Sequence, residues 1–339
     1  MKTRVIQLEK RPRGTPQADD FRLVETRLPP LQEGEILVRN LWMSVDPYMR
    51  GRMDGRKSYI PPFQVGEPLS GGAIGQVLES RHANFPGGVY VSHQGGWREA
   101  YVAPGEAFVL VDPSVAPLPA FLGVLGMPGL TAYVGLGLAD PGEGETLFVS
   151  AAGGAVGSLV CQLGRQRGLR VVASAGSAIK LDWLSNDLGV NTALNYKARN
   201  FVEQLAGACP DGLDIYFDNV GGSQLEAAIG QMNNFGRIIV CGMISFYNDP
   251  KKPTGPANFI QIVSKRLTMR GFIVTDHTKQ YPNFIAEVGA LVRSGAVRWE
   301  ETIVDGLERA PDALIGLFDG DNVGKMLVKL TEDEGPTTT

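Results

Sequence analysis

The chain has 339 residues and a mass of 36.4 kDa, a length that favours two domains. Hydrophobic residues make up 43% of the chain and charged residues 20%, which is typical of a globular protein and excludes a disordered one. The formal net charge is −4 and no basic stripe stands out, so we expect no nucleic acid as a partner.

The first 122 residues are predicted to form a β-rich domain. Strand candidates bounded by glycine or proline lie at Ile36–Leu41, Gly71–Leu78, Val89–Ser92 and Ala100–Ala103. Short strands with dense turns are typical of a compact, barrel-like domain.

From about residue 123 strands alternate with helices. The apolar run Thr146–Ser150 predicts a strand buried on both faces, and apolar residues between Val156 and Leu163 then recur at helical spacing. A strand at Arg170–Ala173 comes next. The alternation continues through two more helices, Lys180–Leu188 and Leu225–Met232, and two more strands, Asp214–Phe217 and Arg237–Val240. This spacing predicts βαβ units on a parallel sheet, and hence an α/β domain.

The end of the chain is predicted to return to the first domain. A short helix at Pro311–Leu317 and a strand at Lys325–Leu330 precede a polar tail from Glu332. We therefore assign residues 1–122 and 306–339 to the β-rich domain and residues 123–305 to the α/β domain.

The strongest motif lies between the first buried strand and the amphipathic helix. Ser150–Gly157 has the sequence SAAGGAVG, in which Ala152, Gly154 and Gly157 occupy the positions of the GxGxxG dinucleotide-binding fingerprint. Gly154 allows backbone amides to approach a pyrophosphate, and Gly157 allows the helix to pack closely against the strand. Unpaired amides at the helix N-terminus favour an anion there. The strand–turn–helix–strand context favours a phosphate-binding turn over a turn without a ligand.

The end of the next strand distinguishes NADP from NAD. NAD-specific sites place an acidic residue there to hold the ribose hydroxyls, but the segment from Ala173 has no acidic residue before Asp182. Ser177 and Lys180 can donate hydrogen bonds to a 2′-phosphate. A lysine in the first turn of a helix is unfavourably placed unless an anion lies nearby. The sequence therefore predicts NADP.

Two later segments also follow buried strands. Because ligands of open α/β sheets bind at the carboxyl ends of the strands, we expect Asn219 and Gly221 at the cofactor side, together with the segment Val240–Ser245. Cys241 has no positively charged neighbour in the sequence, so we expect it to pack or to offer a backbone contact rather than to react.

These motifs resemble the zinc-independent double-bond reductases of the medium-chain dehydrogenase/reductase superfamily. That group includes leukotriene 12-hydroxydehydrogenase/prostaglandin reductase, the plant alkenal reductases and bacterial NADPH-dependent curcumin reductase. The resemblance implies an α/β fold in which a Rossmann-type, doubly wound parallel sheet binds NADP and a GroES-like β-barrel domain carries catalytic and substrate residues. The matching stretches run in order along nearly the whole chain: Ser44–Met53, Gly129–Tyr133, Ala151–Ser158, Phe217–Gly222, Cys241–Asn248, Gly255–Phe259 and Asn322–Lys325.

The resemblance also implies individual cofactor contacts. It implies that Lys180 and Tyr196 hold the 2′-phosphate. Gly153 departs from the Ala or Asp of many relatives, and we expect little effect because it faces away from the fingerprint positions. The positions that match the family's cofactor contacts are Thr131, Gly154, Ala155, Val156, Gly157, Lys180, Tyr196, Asn219, Cys241, Gly242, Ile244, Ser245, Tyr247, Phe272, Val274 and Asn322.

Zinc-dependent members of the superfamily use an early cysteine and the histidine of a GHE motif. The corresponding stretches here, Trp42–Asp46 and Val65–Pro68, contain neither residue, and the four-cysteine zinc lobe is missing. The three cysteines and three histidines of the chain also show no metal-ligand spacing. We therefore expect no zinc and a metal-free reduction of a conjugated C=C bond, in which hydride from NADPH reaches the β-carbon and negative charge develops on the carbonyl oxygen.

Two tyrosines are predicted to be catalytic. Tyr48 and Tyr247 can donate a hydrogen bond to that oxygen and supply a proton, although a packing role is open for both. We expect Arg50 and Arg52 to support their loop through carboxylates rather than to contact an acidic substrate. The side chains predicted to contact substrate are Tyr48, Met53, Tyr59 and Phe259.

Two rival functions use the same nucleotide-binding turn: a quinone oxidoreductase of the same superfamily and a non-catalytic NADPH-binding protein. A quinone oxidoreductase would lack the stretches around Tyr48 and Tyr247. The N-terminus has no apolar core of a signal peptide and no apolar run reaches about 18 residues, so we expect a cytoplasmic protein without a membrane partner. The family resemblance implies a homodimer.

Overall fold

The computed structural model describes residues 1–251 and 254–331. The chain divides into two compact units. The first contains Met1–Leu122, Glu301–Asn322 and the segment that begins at Met326, and the second contains Gly123–Glu300 and Val323–Lys325. The polar tail predicted from Glu332 onward lies outside the described residues.

The strands and the helices are each numbered in chain order. The strands are β1 (Lys2–Leu8), β2 (Phe21–Arg27), β3 (Glu35–Ser44), β4 (Ala73–Ser80), β5 (Tyr90–His93), β6 (Ala100–Pro104), β7 (Val109–Val111), β8 (Thr146–Val149), β9 (Arg170–Ala175), β10 (Thr192–Asn195), β11 (Leu213–Asp218), β12 (Met232–Val240), β13 (Thr268–Gly271), β14 (Glu301–Asp305) and β15 (Lys325–Lys329). The helices are α1 (Tyr48–Met53), α2 (Met127–Leu138), α3 (Ala155–Gln166), α4 (Ala178–Asp182), α5 (Phe201–Ala208), α6 (Gly222–Gln231), α7 (Gln261–Ser264), α8 (Tyr281–Arg293) and α9 (Ala310–Asp319).

The first unit is built on a sheet in the order β14-β15-β3-β4-β5-β7, which is antiparallel from β15 to β7, with β6 also paired antiparallel to β3. The hairpin of β1 and β2 forms a separate two-stranded sheet. The short helix α1 packs its residues Met49 and Met53 into a buried cluster that also contains Trp97 and Phe21. The first unit is β-rich, as predicted. The segment around Tyr48, which we expect from the sequence to be a loop, is instead a helix anchored in this core.

The second unit is built on a parallel sheet with the strand order β10-β9-β8-β11-β12-β13. This is the order of dinucleotide-binding folds, in which the chain direction across the sheet reverses between the first strand and the fourth. Here the reversal lies between β8 and β11, whose central residues Phe148 and Tyr216 are fully buried and stack at 5.0 Å. The predicted α/β fold with a Rossmann-type sheet is confirmed.

Some predicted boundaries differ from the structure. The helix predicted over Lys180–Leu188 is α4 followed by a π-helical turn at Trp183–Asp187, where the Leu188 amide donates to the Trp183 carbonyl oxygen at 3.0 Å. This wider turn buries both Trp183 and Leu184. Within residues 1–251 and 254–331, no helix combines the length and the apolar character that crossing a membrane requires.

Candidate cofactor and substrate sites

The turn between β8 and α3 has the shape that a pyrophosphate requires. Gly154 is the N-cap of α3, in extended conformation, and no side chain caps the helix, so its first amides are left for a ligand. A Cβ atom at Gly157 would lie 2.6 Å from the Ala151 carbonyl oxygen and 2.7 Å from the Ala152 Cα. Because both neighbours are backbone atoms, only glycine fits at this position.

Hydrogen bonds join this turn to the one that follows β11. The amide of Asn219 donates to Ser150 Oγ at 3.0 Å, and its side-chain Nδ2 donates to the Ser150 carbonyl oxygen at 2.8 Å. The buried carboxylate of Asp218 accepts the Gly221 amide at 2.8 Å and the Tyr216 hydroxyl at 2.7 Å. Burial raises the pKa of Asp218. The network therefore fixes Asn219 and the positive-φ Gly221 at the switch point of the sheet.

The segment after β12 folds back onto the same turn. Ser245 Oγ donates to the Val220 carbonyl oxygen at 2.6 Å, and the Ile244 amide donates to the Asn219 carbonyl oxygen at 3.3 Å. The Tyr247 hydroxyl lies over Gly242, at 3.2 Å from where a Cβ of that glycine would be. The turn Asn219–Gly221 and the segment Cys241–Tyr247 thus form one continuous surface, which we call the cofactor surface.

Cys241 lies within this surface as an unreactive thiol. Burial, together with the neighbouring carboxylate of Asp218, raises its pKa to about 12. At neutral pH the thiolate that nucleophilic chemistry needs is therefore scarce. This agrees with the prediction that Cys241 packs or offers a backbone contact.

Lys180 and Tyr196 lie beside two glycines that leave room for them. A Cβ at Gly153 would be 2.9 Å from Lys180 Cδ, and a Cβ at Gly176 would be 2.8 Å from Tyr196 Cε1. The lysine stem thus crosses the phosphate-binding turn itself. A methyl group at Gly153 would therefore meet the Lys180 stem, and the effect of this position on the lysine stays a prediction.

Sequence reasoning missed a second cation at this place. Lys197 Cε would lie 3.0 Å from a Cβ at Gly176, and Lys197 Nζ is 5.9 Å from the centroid of the Tyr196 ring. The available signal was its position directly after Tyr196, at the carboxyl end of β10. Two lysines and a phenol thus border the loop after β9, which supports a site for a 2′-phosphate.

The remaining predicted cofactor positions occupy different environments. The Thr131 hydroxyl donates to the Met127 carbonyl oxygen at 2.8 Å within α2, and Phe272 Cζ would lie 2.9 Å from a Cβ at Gly135. Val274 begins a 3-10 turn, and Asn322 is buried in the first unit. Their contacts with a cofactor stay predictions.

In the first unit, Tyr48 is half-buried at the start of α1. Burial raises the pKa of its phenol well above the ordinary value, whereas the Arg52 guanidinium lowers that pKa. Arg50 supports the helix through the Asp54 carboxylate at 2.6 Å, as predicted. Arg52 does not use a carboxylate: it donates to the Pro61 carbonyl oxygen.

The predicted substrate contacts separate into exposed and buried side chains. Tyr59 is 59% exposed in the first unit and Phe259 is 51% exposed in the second. Met53 is fully buried in the core around Trp97 and offers no surface to a substrate. The prediction for Met53 is therefore wrong, because an apolar residue in α1 packs inward.

Among the residues that the structure describes, no group of three or more His, Cys, Asp or Glu side chains is arranged to hold a metal ion.

Comparisons with known proteins identify the family. A family model described as the N-terminal domain of oxidoreductase matches residues 4–111, and one described as zinc-binding dehydrogenase matches residues 155–290. The NADPH-dependent curcumin reductase of Escherichia coli is 40% identical over 333 residues, which cover 96% of each chain. The NADP(+)-dependent 2-alkenal reductase of Nicotiana tabacum is 40% identical over 94% of this chain and 95% of that protein. This chain belongs to the double-bond reductases of the medium-chain dehydrogenase/reductase superfamily.

A solved structure agrees with this assignment. The crystal structure of CurA from Vibrio vulnificus in complex with NADPH matches this reductase with a TM-score of 0.93 and 42% sequence identity, over 97% of this chain and 100% of that one. The predicted family, the predicted class of NADP-dependent oxidoreductase and the predicted NADP cofactor are confirmed.

Adding a methyl group at Gly153 of the reductase is expected to weaken the binding of NADPH more than the binding of NADH. In Gly153→Ala the new Cβ displaces the Lys180 stem, so we expect KM for NADPH to rise about fivefold and KM for NADH to change little, since one charged hydrogen bond is misplaced rather than lost. Steady-state kinetics with both cofactors check this. Gly137→Ala in α2, where a Cβ meets no atom within 4 Å, is the control, and an equal rise for both cofactors would contradict the account.

Proposed function

We propose that this chain uses NADPH to reduce the C=C bond of α,β-unsaturated ketones and aldehydes without a metal ion. The observation that carries the proposal is Tyr48, a half-buried phenol at the start of α1 that precedes Arg52 by one helical turn on the same helix face. The relatives named as reductases of curcumin and of 2-alkenals support the same class of substrate.

The second unit provides the residues that would hold the cofactor. The amides at the start of α3 and the glycines of the turn fit the pyrophosphate, and Lys180 with Tyr196 fits the 2′-phosphate. Lys197 adds a second positive charge there. For Tyr247 we propose a hydrogen-bond donor at the edge of the cofactor surface, because its hydroxyl lies over Gly242. When bound, NADPH supplies the hydride.

Tyr48 is the proposed donor to the substrate. Reduction at the β-carbon moves negative charge to the carbonyl oxygen, where a fixed O–H donor stabilises it. As the enolate returns to the ketone, the α-carbon takes up a proton for which the Tyr48 phenol is the proposed source, and the phenolate then regains a proton from water. Tyr59 and Phe259 stay proposed substrate contacts, since both present exposed aromatic faces.

The residues of the first unit support a reaction without zinc. Trp42–Asp46 and Val65–Pro68, which match the zinc-ligating stretches of zinc-dependent relatives, contain no cysteine or histidine. Polarisation of the carbonyl is therefore assigned to hydrogen-bond donors.

The substrate test compares an enone with its saturated ketone. We expect NADPH absorbance to fall with 4-phenyl-3-buten-2-one and to stay constant with 4-phenyl-2-butanone. Oxidation with both compounds would indicate carbonyl reduction, and oxidation with neither would contradict the proposed function.

We further propose a cytoplasmic homodimer. Three free cysteines suit a reducing compartment, and fractionation of the source cells tests that location. For the dimer, β13 is an edge strand of the parallel sheet, and Ile260 and Val263 beside it are each 73% exposed.

The dimer prediction concerns this edge. Val263→Asp places a charge on the exposed apolar surface, so we expect a shift from dimer to monomer by size-exclusion chromatography with light scattering. The control is Val202→Asp, because Val202 is also exposed, at 52%, but lies on α5. A monomeric wild-type chain, or a dimer that Val263→Asp leaves intact, would contradict this interface.

A further inference from the structure

The guanidinium of Arg52 is held more firmly than a surface arginine needs to be. Its Nε donates to the Pro61 carbonyl oxygen at 3.0 Å, and its Nη1 donates to Ser70 Oγ at 3.0 Å. Its Cζ lies 3.9 Å from the centroid of the Phe63 ring, which is buried. Two segments of the first unit, one with Pro61 and Phe63 and one with Ser70, thus fix one plane of N–H donors.

This plane also contacts the proposed catalytic phenol. Arg52 follows Tyr48 by one helical turn on α1, a spacing that brings the two side chains together, and the Arg52 guanidinium lowers the pKa of the Tyr48 phenol through its charge and as a hydrogen-bond donor. A guanidinium has donors and no acceptor, so the phenol oxygen accepts. The phenol hydrogen is thereby left for another acceptor, such as the carbonyl oxygen of a substrate.

The charges around Tyr48 give Arg52 a distinct role. Burial raises the pKa of the phenol, and the nearby Asp46 and Tyr59 raise it further. Arg52 acts in the opposite direction, through its charge and its hydrogen bond. A cation on the oxygen strengthens the phenol as a donor, because it stabilises the charge that the oxygen gains as its proton moves away.

We propose that Arg52 is a positioning residue for the double-bond reduction, which holds the Tyr48 oxygen so that the phenol hydrogen is directed to the carbonyl oxygen of the substrate. This inference rests on the proposed function and adds to it a residue that acts through Tyr48. A purely structural Arg52 would instead hold α1 and the segment around Phe63 together, and its loss would act independently of Tyr48.

A double-mutant cycle with Tyr48 separates the two roles. We expect Arg52→Met to lower kcat about tenfold, because the donor is misdirected but still present, and to leave KM for NADPH unchanged. Arg52→Lys, which keeps the charge and loses the planar fork, is expected to lie between Arg52→Met and the wild type. In the Tyr48→Phe background, Arg52→Met is expected to lower kcat by less than about twofold, since the phenol on which it acts is gone.

The control is Arg56→Met, because Arg56 is 86% exposed and pairs with Asp54; full activity is expected. Thermal unfolding of every variant shows whether each one is folded at the assay temperature. Should Arg52→Met be unfolded there, the cycle is run with Arg52→Lys, for which the expected loss is about threefold alone and absent in the Tyr48→Phe background.

An unchanged kcat in the folded Arg52 variant, or an equal loss with and without the Tyr48 phenol, would overturn the inference and leave the proposed function intact. A wild-type enzyme that does not oxidise NADPH with an enone would overturn the proposed function itself. The two failures are therefore distinguishable.

Discussion

Lys180→Ala is expected to raise KM for NADPH about 30-fold and to leave KM for NADH within about twofold. A charge-assisted hydrogen bond contributes about 1.5–3 kcal/mol, which corresponds to a factor of about 10 to 150 in binding. The 2′-phosphate is the group that NADH lacks, so the effect falls on one cofactor. Steady-state kinetics with both cofactors at saturating enone measure the ratio.

Two further variants sharpen this test. Lys197→Ala is expected to raise KM for NADPH about threefold, because its ammonium group lies 5.9 Å from the centroid of the Tyr196 ring and acts as a second, weaker charge. Lys2→Ala removes an exposed lysine that pairs with Glu25 in the first unit and is expected to change neither constant. An equal effect of Lys180→Ala on both cofactors would contradict the assignment of Lys180 to the 2′-phosphate.

Tyr48→Phe is expected to lower kcat about 100-fold with KM for NADPH unchanged. Loss of one oxyanion donor costs about 10² to 10³ in rate, and loss of a general acid costs about as much. The substitution keeps the ring in its place on α1, so we expect no loss of stability. The control is Tyr133→Phe, because the Tyr133 hydroxyl bonds to Glu287 in the second unit at 2.8 Å. Full turnover by Tyr48→Phe would assign the proton to solvent.

The pH dependence follows from the direction of the same pKa. The proposed role needs the protonated phenol, and burial raises the pKa of Tyr48 above the ordinary value of about 10. The donor therefore persists as the pH passes that value, and we expect kcat to show no decline from Tyr48 near pH 10. A decline of kcat near pH 10 that disappears in Tyr48→Phe would show that the pKa of Tyr48 has its ordinary value, and would contradict this prediction.

The nucleotide-binding unit could be predicted because its signals are local. A strand buried on both faces is a continuous apolar run, and the turn from Ser150 to Gly157 follows β8 directly. Gly157 is required by contacts with residues only five and six positions earlier, Ala152 and Ala151. A pattern within ten residues therefore determines the local structure.

The features that sequence reasoning missed depend on contacts between distant segments. Arg52 meets Pro61 and Ser70 only after the segment folds around Phe63, and a sequence window shows nothing of this. The burial of Met53 could not be predicted either, because a sequence pattern does not distinguish an apolar residue in a core from one that lines a pocket. The contact between Gly153 and the Lys180 stem is of the same kind, because that lysine comes from the helix after the next strand.

The position of the transferred hydrogen tests the central claim most directly. The chain is supplied with NADPH that carries deuterium at the transferable position and with 4-phenyl-3-buten-2-one in ordinary water, and the product is examined by NMR and mass spectrometry. The account predicts a saturated ketone that carries deuterium on the β-carbon and no deuterium on the α-carbon. An unsaturated alcohol with deuterium on the carbonyl carbon would contradict it.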